Sequence, residues 1–517
     1  MPHGMVRPAI WTASHICPPR SYRDNLNLAS KKLECLSSLK KCSSMKEIFQ
    51  VHAQIQIFGL HRDPNLMDEI IQFCASRPSG SLSHGRLLVE YSDNLAVPSW
   101  NKLIRGYATS SFPIEAIRVF LAMRFRGVWP SRLTYPFLFK ACTTLLALKE
   151  GQQIHVDTVK HGLDSDVYVR NTLIRLYGSC GEFVDARQVF EEMTHRTIVS
   201  WNSVISAGVE NLKFFESMAL FVRMRDSGFE PDETTMVILL SACAEVGNLD
   251  LGKCVHSQVI EKGLLVNCEL GTSLVNMYAK CGDLYCASQV FDRMIVGDVW
   301  TWSSLIMGLA QHGLAKDALH IFKRMQHCGI QPNHVTFLGI LCACSHARLV
   351  EEGRQFFHDM QHVYGIKPTM ALYGAMVDCL GRACHLREAY DFVINMPVEP
   401  DAVVWRTLLS ACNIHDCNDS GGVGEKVRKK LFELEPKRSG NFVMISNKYA
   451  EVGMWEKMHH VRSAMRDGGL KKVAGMSYVQ VGGSTYRFLS RDHSQVNSEN
   501  IYLLLDGLYL HIKDDEE

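Results

Sequence analysis

Cysteine and histidine are the residue types in this sequence best suited to bind metals or to catalyse a reaction. The 18 Cys residues are scattered through apolar, helix-like patterns, and no two of them stand three positions apart. The 22 His residues lack metal-ligand spacing, and Gly421, Gly422 and Gly424 precede no Gly-Lys-Ser/Thr of a phosphate loop. We therefore expect reduced structural thiols, no metal or other cofactor, and no enzymatic activity.

Short polar side chains recur in pairs at fixed separations. Three pairs share one separation along the chain, and two further pairs share a slightly shorter one. These pairs are Asn101 with Ser131, Asn202 with Asp232, Ser303 with Asn333, Asn171 with Thr197, and Thr272 with Asp298. In the first turn of a helix, any one of them can simply be a cap or a solvated position. The recurrence of all five pairs favours a shared role.

An internal period of 101 residues indicates the elements that position these pairs. Four series at that step are Trp100, Trp201 and Trp302; Phe120, Phe221 and Phe322; Met123, Met224 and Met325; and Cys142, Cys243 and Cys344. So many coincidences at one spacing define a tandem array over about residues 97–369. The Trp and Cys series fall on apolar faces, so we predict that they are core residues, not stacking platforms or metal ligands.

Each block of the array divides into two longer repeats and a shorter third, which in the first block are 97–131, 132–166 and 167–197. The second block has the same lengths, and in the third block, 299–333, 334–369 and 370–401, the last two repeats are slightly longer. Each repeat contains two amphipathic helices. In the first repeat, Trp100, Leu103 and Ile104 share one face of a first helix, while Phe120 and Met123 share a face of a second. Neither helix can bury its apolar face alone, so neighbouring hairpins must stack. The predicted fold is an all-α solenoid of tandem helix-turn-helix repeats.

Composition and charge exclude several classes of protein. The chain has 517 residues, with 55 Lys and Arg against 54 Asp and Glu, so it cannot coat nucleic acid through bulk charge, although a local basic groove is possible. No run of 18 apolar residues could span a membrane. The first acidic residue is Asp24, preceded by Arg7, Arg20 and Arg23, which is typical of an organelle transit peptide. The alternative is an irregular N-terminus without a targeting role.

Several segments resemble the pentatricopeptide repeat. They include IVSWNSVISAGVE and ALFVRMRDSGFEPD in the repeat that begins at Ile198, and the alternating repeat lengths resemble the plant PLS class. FLFKACTTLLALKEGQQIHVDTVKHGL is similar to its long-type repeat, and NTLIRLYGSCGEFVDARQVFEEM to its short-type repeat. Farther on, AVVWRTLLSACNIH and SGNFVMISNKYAEVGMWEKMHHVRSAMRDGGLKKVAGMSYVQV resemble the E motifs, and YRFLSRDHSQVNSENIYLLLDGL resembles the start of the E+ extension.

This resemblance implies a right-handed superhelix and a division of the chain into five parts. We predict a transit peptide over residues 1–29, degenerate repeats over 30–96, the PLS array over 97–401, E motifs over 402–474 and a partial E+ extension over 475–517.

The resemblance also implies that the array binds single-stranded RNA and that the fifth and last residues of a repeat select a base. By the family's pattern, Asn101 with Ser131 selects C, Asn171 with Thr197 a pyrimidine, Asn202 with Asp232 U, Thr272 with Asp298 G, and Ser303 with Asn333 A. The long-type repeats have the apolar fifth residues Pro136, Val237 and Leu338, which predicts that they space the array. The implied target is C-n-Y-U-n-G-A, followed by five unselected bases and the edited C.

Plant members with these extensions typically specify sites of cytidine-to-uridine editing in organelle transcripts. Longer members add a DYW deaminase domain, but here no His has Glu two residues later and no Pro-Cys-x-x-Cys occurs. We therefore expect a deaminase-bearing protein of the same family, with accessory factors, to act in trans. We expect a mitochondrial location, with the chloroplast as the alternative. Passive RNA stabilisation or a role in splicing is a second hypothesis, and a protein-binding scaffold a third.

Overall fold

The computed structural model describes residues 22–92, 95–264, 267–294, 297–415, 422–472, 475–481, 484–489 and 503–505. The described residues up to 489 form 26 α-helices and one two-stranded β-sheet, and residues 503–505 are helical as well. The predicted transit peptide falls mostly on residues 1–21, outside the described part, and the first helix begins at Tyr22. No helix among the described residues is long and apolar enough to cross a membrane.

The chain divides into two compact units, Met1–Asp283 and Leu284–Glu517. The helices of the first unit are α1 (Tyr22–Lys41), α2 (Met45–Ile57), α3 (Pro64–Ser76), α4 (Leu82–Tyr91), α5 (Val97–Ala108), α6 (Ile114–Phe125), α7 (Tyr135–Leu145), α8 (Leu148–Lys160), α9 (Val167–Ser179), α10 (Phe183–Glu191), α11 (Ile198–Glu210), α12 (Phe214–Asp226), α13 (Glu233–Val246), α14 (Leu249–Glu261) and α15 (Cys268–Lys280). Those of the second are α16 (Leu284–Arg293), α17 (Val299–Gln311), α18 (Ala315–His327), α19 (His334–Ala347), α20 (Val350–His362), α21 (Met370–Arg382), α22 (Leu386–Ile394), α23 (Ala402–Ile414), α24 (Val423–Leu434), α25 (Ser439–Glu451) and α26 (Trp455–Asp467).

Helices α11 and α12 illustrate how a repeat folds into a helical hairpin. Thr197 is the N-cap of α11: its hydroxyl accepts the amide of Ser200, and the Ser200 hydroxyl accepts the amide of Thr197. Leu212, with a φ of 58°, lies in the turn between the two helices. Helix α12 ends before Gly228, whose φ of 81° is one that favours glycine. The caps and turns thus set the length of each helix.

The side chains that recur every 101 residues form the core, as predicted. Trp100, Trp201 and Trp302 are only 1%, 1% and 6% exposed, and the Phe, Met and Cys series are equally buried. Each large apolar side chain that is buried in this way stabilises the fold by about 1.5–3 kcal/mol. The tryptophans and cysteines are therefore packing residues.

Successive first helices pack against each other inside each compact unit. In the first unit α9 packs on α7 and on α11, and in the second α19 packs on α17 and on α21. Some of these contacts require glycine: a Cβ added to Gly178 of α9 would lie 2.5 Å from the Cβ of Ala207 in α11. Within each unit, a hairpin covers an apolar face of the one before it, so the predicted helical solenoid is confirmed.

A small β-hairpin follows the helices and was not predicted. Strands β1 (Met476–Val481) and β2 (Ser484–Leu489) are antiparallel, with Met476 opposite Leu489 and Val481 opposite Ser484. The sequence does contain a feature that is typical of a β-hairpin: two runs with β-branched and aromatic side chains are separated by Gly482 and Gly483. These two glycines lie outside the described residues. The segment with the predicted E+ extension therefore contains extended backbone.

Candidate nucleic-acid interface

Asn202 and Asp232 are brought together by the stacking of two hairpins. Asn202 is the fifth residue of α11, and Asp232 is the N-cap of α13. The Nδ2 group of Asn202 donates to Oδ1 of Asp232 over 3.0 Å. The hydroxyl of Thr235 donates to Oδ1 of Asn202 over 2.7 Å and lies 2.8 Å from Oδ1 of Asp232. The three side chains form one hydrogen-bonded group, which we call the Asn202 triad.

The carboxylate of Asp232 is held in its charged form. Burial alone would raise the pKa of this group, but hydrogen bonds from the Thr235 amide and the Asn202 side chain outweigh it and lower the pKa. The Thr235 amide bond, 2.8 Å long, is the helix cap itself. Asp232 therefore presents a carboxylate, which can only accept hydrogen bonds.

The same arrangement recurs 101 residues earlier. Nδ2 of Asn101 donates to the hydroxyl of Ser131 over 3.1 Å, and the hydroxyl of Thr134 donates to Oδ1 of Asn101 over 2.7 Å. Ser131 replaces the carboxylate of Asp232 with a hydroxyl, which can donate as well as accept. The two sites therefore share these two hydrogen bonds but differ in hydrogen-bonding capacity and in the helix start, because Asp232 caps α13 while α7 begins only at Tyr135.

The arrangement recurs again 101 residues after the Asn202 triad. The hydroxyls of Ser303 and Thr336 lie 2.7 Å apart, and the Ser303 hydroxyl lies 3.4 Å from Oδ1 of Asn333. Oδ1 of Asn333 accepts the amides of Val335 and Thr336. Its acceptor oxygen is thus occupied by the helix cap, which leaves the Nδ2 group of Asn333 as the donor at this site.

The other two predicted pairs are placed differently. Oδ1 of Asn171 is buried and has no hydrogen-bond partner among the described residues, while Thr197 bonds to Ser200. Thr272 lies on α15 in the first compact unit. Asp298 belongs to the second unit, where it caps α17 and accepts the amide of Thr301.

A cavity of about 370 Å³ lies beside the Asn202 triad. Asn202 and Asp232 line it, and so do Val199 from the first turn of α11 and the neighbouring Val237 and Ile238 of α13. Val199 is exposed, so an apolar surface lies next to the polar edge. The rest of the lining is mixed and comprises Ala207 with the polar or charged side chains of Arg175, Ser203, Ser206, Glu210, Thr234 and Glu269. A cavity of this size, with apolar side chains next to a polar edge, can hold a flat heteroaromatic ring.

Four polar residues that lie at these sites or at an equivalent one were not identified from the sequence. Three of them are Thr134, Thr235 and Thr336, and their recurrence every 101 residues could have revealed them. The fourth is Asp68, the fifth residue of α3, whose Oδ1 accepts a hydrogen bond from the Ser99 hydroxyl over 2.7 Å. Its position was obscured because the sequence pattern places the start of this degenerate repeat one residue too late, at 65.

The corresponding positions of the next hairpin after the array carry an ion pair instead. Arg406 is the fifth residue of α23, and its guanidinium pairs with Glu435. The Nδ2 group of Asn441, the third residue of α25, donates to the same carboxylate over 3.1 Å. Arg406 and Glu435 therefore neutralise each other at a position where the repeats of the 97–401 array have an uncharged fifth residue.

The buried thiols offer no second site. Burial raises the pKa of Cys142, Cys243 and Cys344 to about 12, so these groups are protonated at neutral pH. No cluster of His, Cys, Asp and Glu among the described residues could hold a metal ion.

Profiles of known families match the array and the segment after it. A profile described as PPR repeat family matches residues 196–245 and 297–346, and one described as PPR repeat matches 98–128, 168–198, 272–299 and 335–362. A profile described as E motif matches residues 420–480.

Curated proteins of Arabidopsis thaliana are similar to nearly the whole chain. One pentatricopeptide repeat-containing protein is 51% identical over 478 residues, covering 92% of this chain and 95% of the relative. A second, named chloroplastic, is 35% identical over 92% of this chain and 78% of its own length. A third, named mitochondrial, is 36% identical over 93% of this chain and 62% of its own length.

Among solved structures, the pentatricopeptide repeat protein PPR10 in complex with an 18-nt psaJ RNA element has a similar fold. The TM-score is 0.62 at 16% sequence identity, and the match covers 86% of this chain and 65% of PPR10, just under two thirds of its length. The likeness shows that both chains share the helical-repeat fold.

Proposed function

The chain belongs to the plant pentatricopeptide repeat family and carries its E motif, and we propose that it binds single-stranded organelle RNA and specifies a cytidine for editing to uridine. The observation that supports this most directly is the Asn202 triad, a polar edge of a cavity that the apolar side chains of Val199, Val237 and Ile238 also line. An unstacked base in that cavity would meet the polar edge with its Watson–Crick face.

At the three sites of Asn202, Asn101 and Ser303, the hydrogen-bonding groups that are left over for a base differ, so each site supports a different base. Asn202 keeps one amide N–H and Asp232 keeps Oδ2, so the site offers a donor beside an acceptor. Uracil is complementary, because its N3–H donates and the adjacent carbonyls accept. Cytosine has an acceptor at N3, which would face the carboxylate unfavourably. We therefore assign U to Asn202 with Asp232.

The hydroxyl of Ser131 reverses that preference. Its oxygen accepts from Asn101, so its proton is available to donate to N3 of cytosine, which supports C at that site. At Asn333 the free group is the amide NH₂, which can donate to N1 of adenine and supports A. We retain a pyrimidine for Asn171 with Thr197 and G for Thr272 with Asp298.

The site of chemistry would lie on another protein. We propose that the region of the E motif, residues 420–480, recruits a deaminase-bearing member of the same family together with accessory editing factors. Relatives whose names place them in chloroplasts and in mitochondria support an organelle location. We propose the mitochondrion, with the chloroplast as the alternative.

The binding part of the proposal is tested with the purified chain and short single-stranded RNAs that carry C-n-Y-U-n-G-A. Control RNAs exchange U for G, or G for C, at fixed near-physiological salt, because phosphate contacts make affinity salt-dependent. Discrimination of about tenfold, or about 1.4 kcal/mol, is expected at each exchanged base. Tight binding without discrimination would reject the base assignments, and no binding would reject RNA as the ligand.

The editing part is tested in a plant that lacks the chain. We expect one cytidine downstream of the predicted motif to remain unedited while the abundance of its transcript stays unchanged. A lost or unspliced transcript with normal editing would instead support the passive role.

A further inference from the structure

Three threonines bond to base-selecting side chains of the preceding repeat. Thr134, Thr235 and Thr336 are each the third residue of a long-type repeat, and all three are fully buried. Their hydroxyls lie 2.7 Å from Oδ1 of Asn101, from Oδ1 of Asn202 and from the hydroxyl of Ser303, respectively. One distance therefore recurs at all three junctions between a Trp-bearing repeat and a long-type repeat.

At the Asn202 triad the direction of each hydrogen bond is fixed by the groups involved. The backbone amide of Asp232 can only donate, and it donates to the Thr235 hydroxyl over 3.2 Å. That hydroxyl has one proton and two acceptors within reach, Oδ1 of Asn202 at 2.7 Å and Oδ1 of Asp232 at 2.8 Å. Because Oδ1 of Asp232 already accepts Nδ2 of Asn202 and the Thr235 amide, the proton goes to Oδ1 of Asn202. The amide of Asn202 is thereby held with Oδ1 toward Thr235 and Nδ2 toward Asp232.

A side-chain amide that flips over exchanges the positions of its donor and its acceptor. The flipped amide of Asn202 would offer an oxygen where a carbonyl of uracil requires a hydrogen-bond donor. Base choice therefore depends on the contacts that hold the amide of Asn202 in one orientation. Valine at position 235 would preserve the shape but remove the hydroxyl.

We infer that Thr134, Thr235 and Thr336 are positioning residues for base selection, so that each long-type repeat orients the fifth residue of the repeat before it. The inference rests on the proposed function, because it concerns the same bases. It assigns the long-type repeats a part in specificity beyond the spacing predicted from their apolar fifth residues.

The chain contains a matched contrast at a different junction. Ser200 is the third residue of a Trp-bearing repeat, is fully buried, and caps α11 through Thr197 as Thr235 caps α13 through Asp232. Oδ1 of Asn171, the fifth residue of the preceding repeat, has no hydrogen-bond partner in the described part of the chain. Ser200 thus supplies the cap without orienting a fifth residue.

The test compares Thr235→Val, Thr235→Ser and Ser200→Ala in the full chain, with RNAs that carry U or C opposite Asn202. We expect Thr235→Val to lower the ratio of U to C affinity by about fivefold. The C to U ratio at the base opposite Ser131 should stay unchanged. Thr235→Ser should retain the wild-type ratio, and Ser200→Ala should lower the melting temperature without altering the ratio. A folded Thr235→Val protein with the wild-type ratio would overturn the inference.

A second measurement separates this inference from the proposed function. Unfolding of Asn202→Ala, Thr235→Val and the double variant gives the coupling between the two side chains without any RNA. We expect a coupling of about fivefold in the unfolding equilibrium constant. Additive effects would overturn the orienting contact even if RNA binds. Clear coupling in a chain that discriminates no bases would reject the proposed function and with it the role in base selection.

Discussion

Oδ1 of Asp232 accepts a hydrogen bond from Nδ2 of Asn202 over 3.0 Å, although 30 residues separate them along the chain. The two side chains start from different hairpins, because Asn202 belongs to α11 and Asp232 caps α13. A base at this site therefore meets a preassembled edge with one remaining amide N–H and one remaining carboxylate oxygen. Changing either residue should change which base fits.

Asn202→Thr should shift the preferred base from U toward G. The shorter side chain leaves room for a purine, and a hydroxyl beside Asp232 reproduces the residue pair of Thr272 with Asp298. We expect a change of about tenfold in the ratio of U to G affinity. Fluorescence anisotropy with two RNAs that differ only at that base measures it. Equal binding of both RNAs by wild type and variant would contradict the assignment.

Asp232→Asn should weaken the preference for U over C by about tenfold, because the new amide can donate to N3 of cytosine. The helix cap should survive, since Asn and Asp are similarly good N-cap residues. Asp401→Asn is the matched control: Asp401 caps α23 in the same manner, in a repeat to which no base is assigned. A change in the U to C ratio in the control as well would indicate a general effect of charge.

The lowered pKa of Asp232 predicts how stability depends on pH. Burial opposes ionisation of this group, but its hydrogen bonds outweigh burial and place the folded-state pKa below the ordinary value of about 4. The carboxylate therefore stabilises the fold above that value, and the contribution is lost as the pH falls through the folded-state pKa. The stability difference between wild type and Asp232→Asn should be constant above about pH 5 and shrink below about pH 4. Urea unfolding across this range measures it, and a difference that grows on acidification would refute the sign.

Gly178→Ala should lower the free energy of unfolding by about 1–3 kcal/mol, because the added methyl would lie 2.5 Å from the Cβ of Ala207. Gly374→Ala is the control: its Cβ would meet only a Val404 methyl at 3.9 Å, so alanine should be neutral or stabilise α21 by up to about 1 kcal/mol. Thermal unfolding followed by circular dichroism compares the two. Equal losses would mean that close helix packing is not the cause.

Much of the fold was predictable because its determinants repeat within the sequence. The spacing of Trp100, Trp201 and Trp302 predicted a common buried position, and all three are buried. Asn202 and Asp232 were predicted from the resemblance to select a base together; their side chains are hydrogen-bonded to each other, and their role in base selection stays a prediction. Thr235 was missed because its partner belongs to another repeat, so that the contact exists only once hairpins stack.

Other features could not be derived from local pattern. The ion pair of Arg406 with Glu435 forms because two positions 29 residues apart both carry charged side chains. Neither charged residue interrupts the helical periodicity of the sequence, so the pattern of apolar residues does not reveal the pair. Asp68 was missed because a degenerate repeat offers few apolar landmarks to define its first residue. In both cases the helices were recognisable, while the identity of the facing side chains depended on tertiary geometry.

The bond between Asn202 and Thr235 crosses the boundary between two repeats, and this limits how such arrays can be recombined. A cassette cut at residues 198–232 carries the amide but leaves its hydroxyl partner behind. A cassette that extends three residues farther, through Thr235, transfers the whole group. The segment that sets base choice is therefore offset from the helical hairpin. A crossover between residues 232 and 235 would impair base choice where the incoming repeat lacks a threonine at its third position, and would preserve it where that repeat has one, as the repeats of Thr134 and Thr336 do.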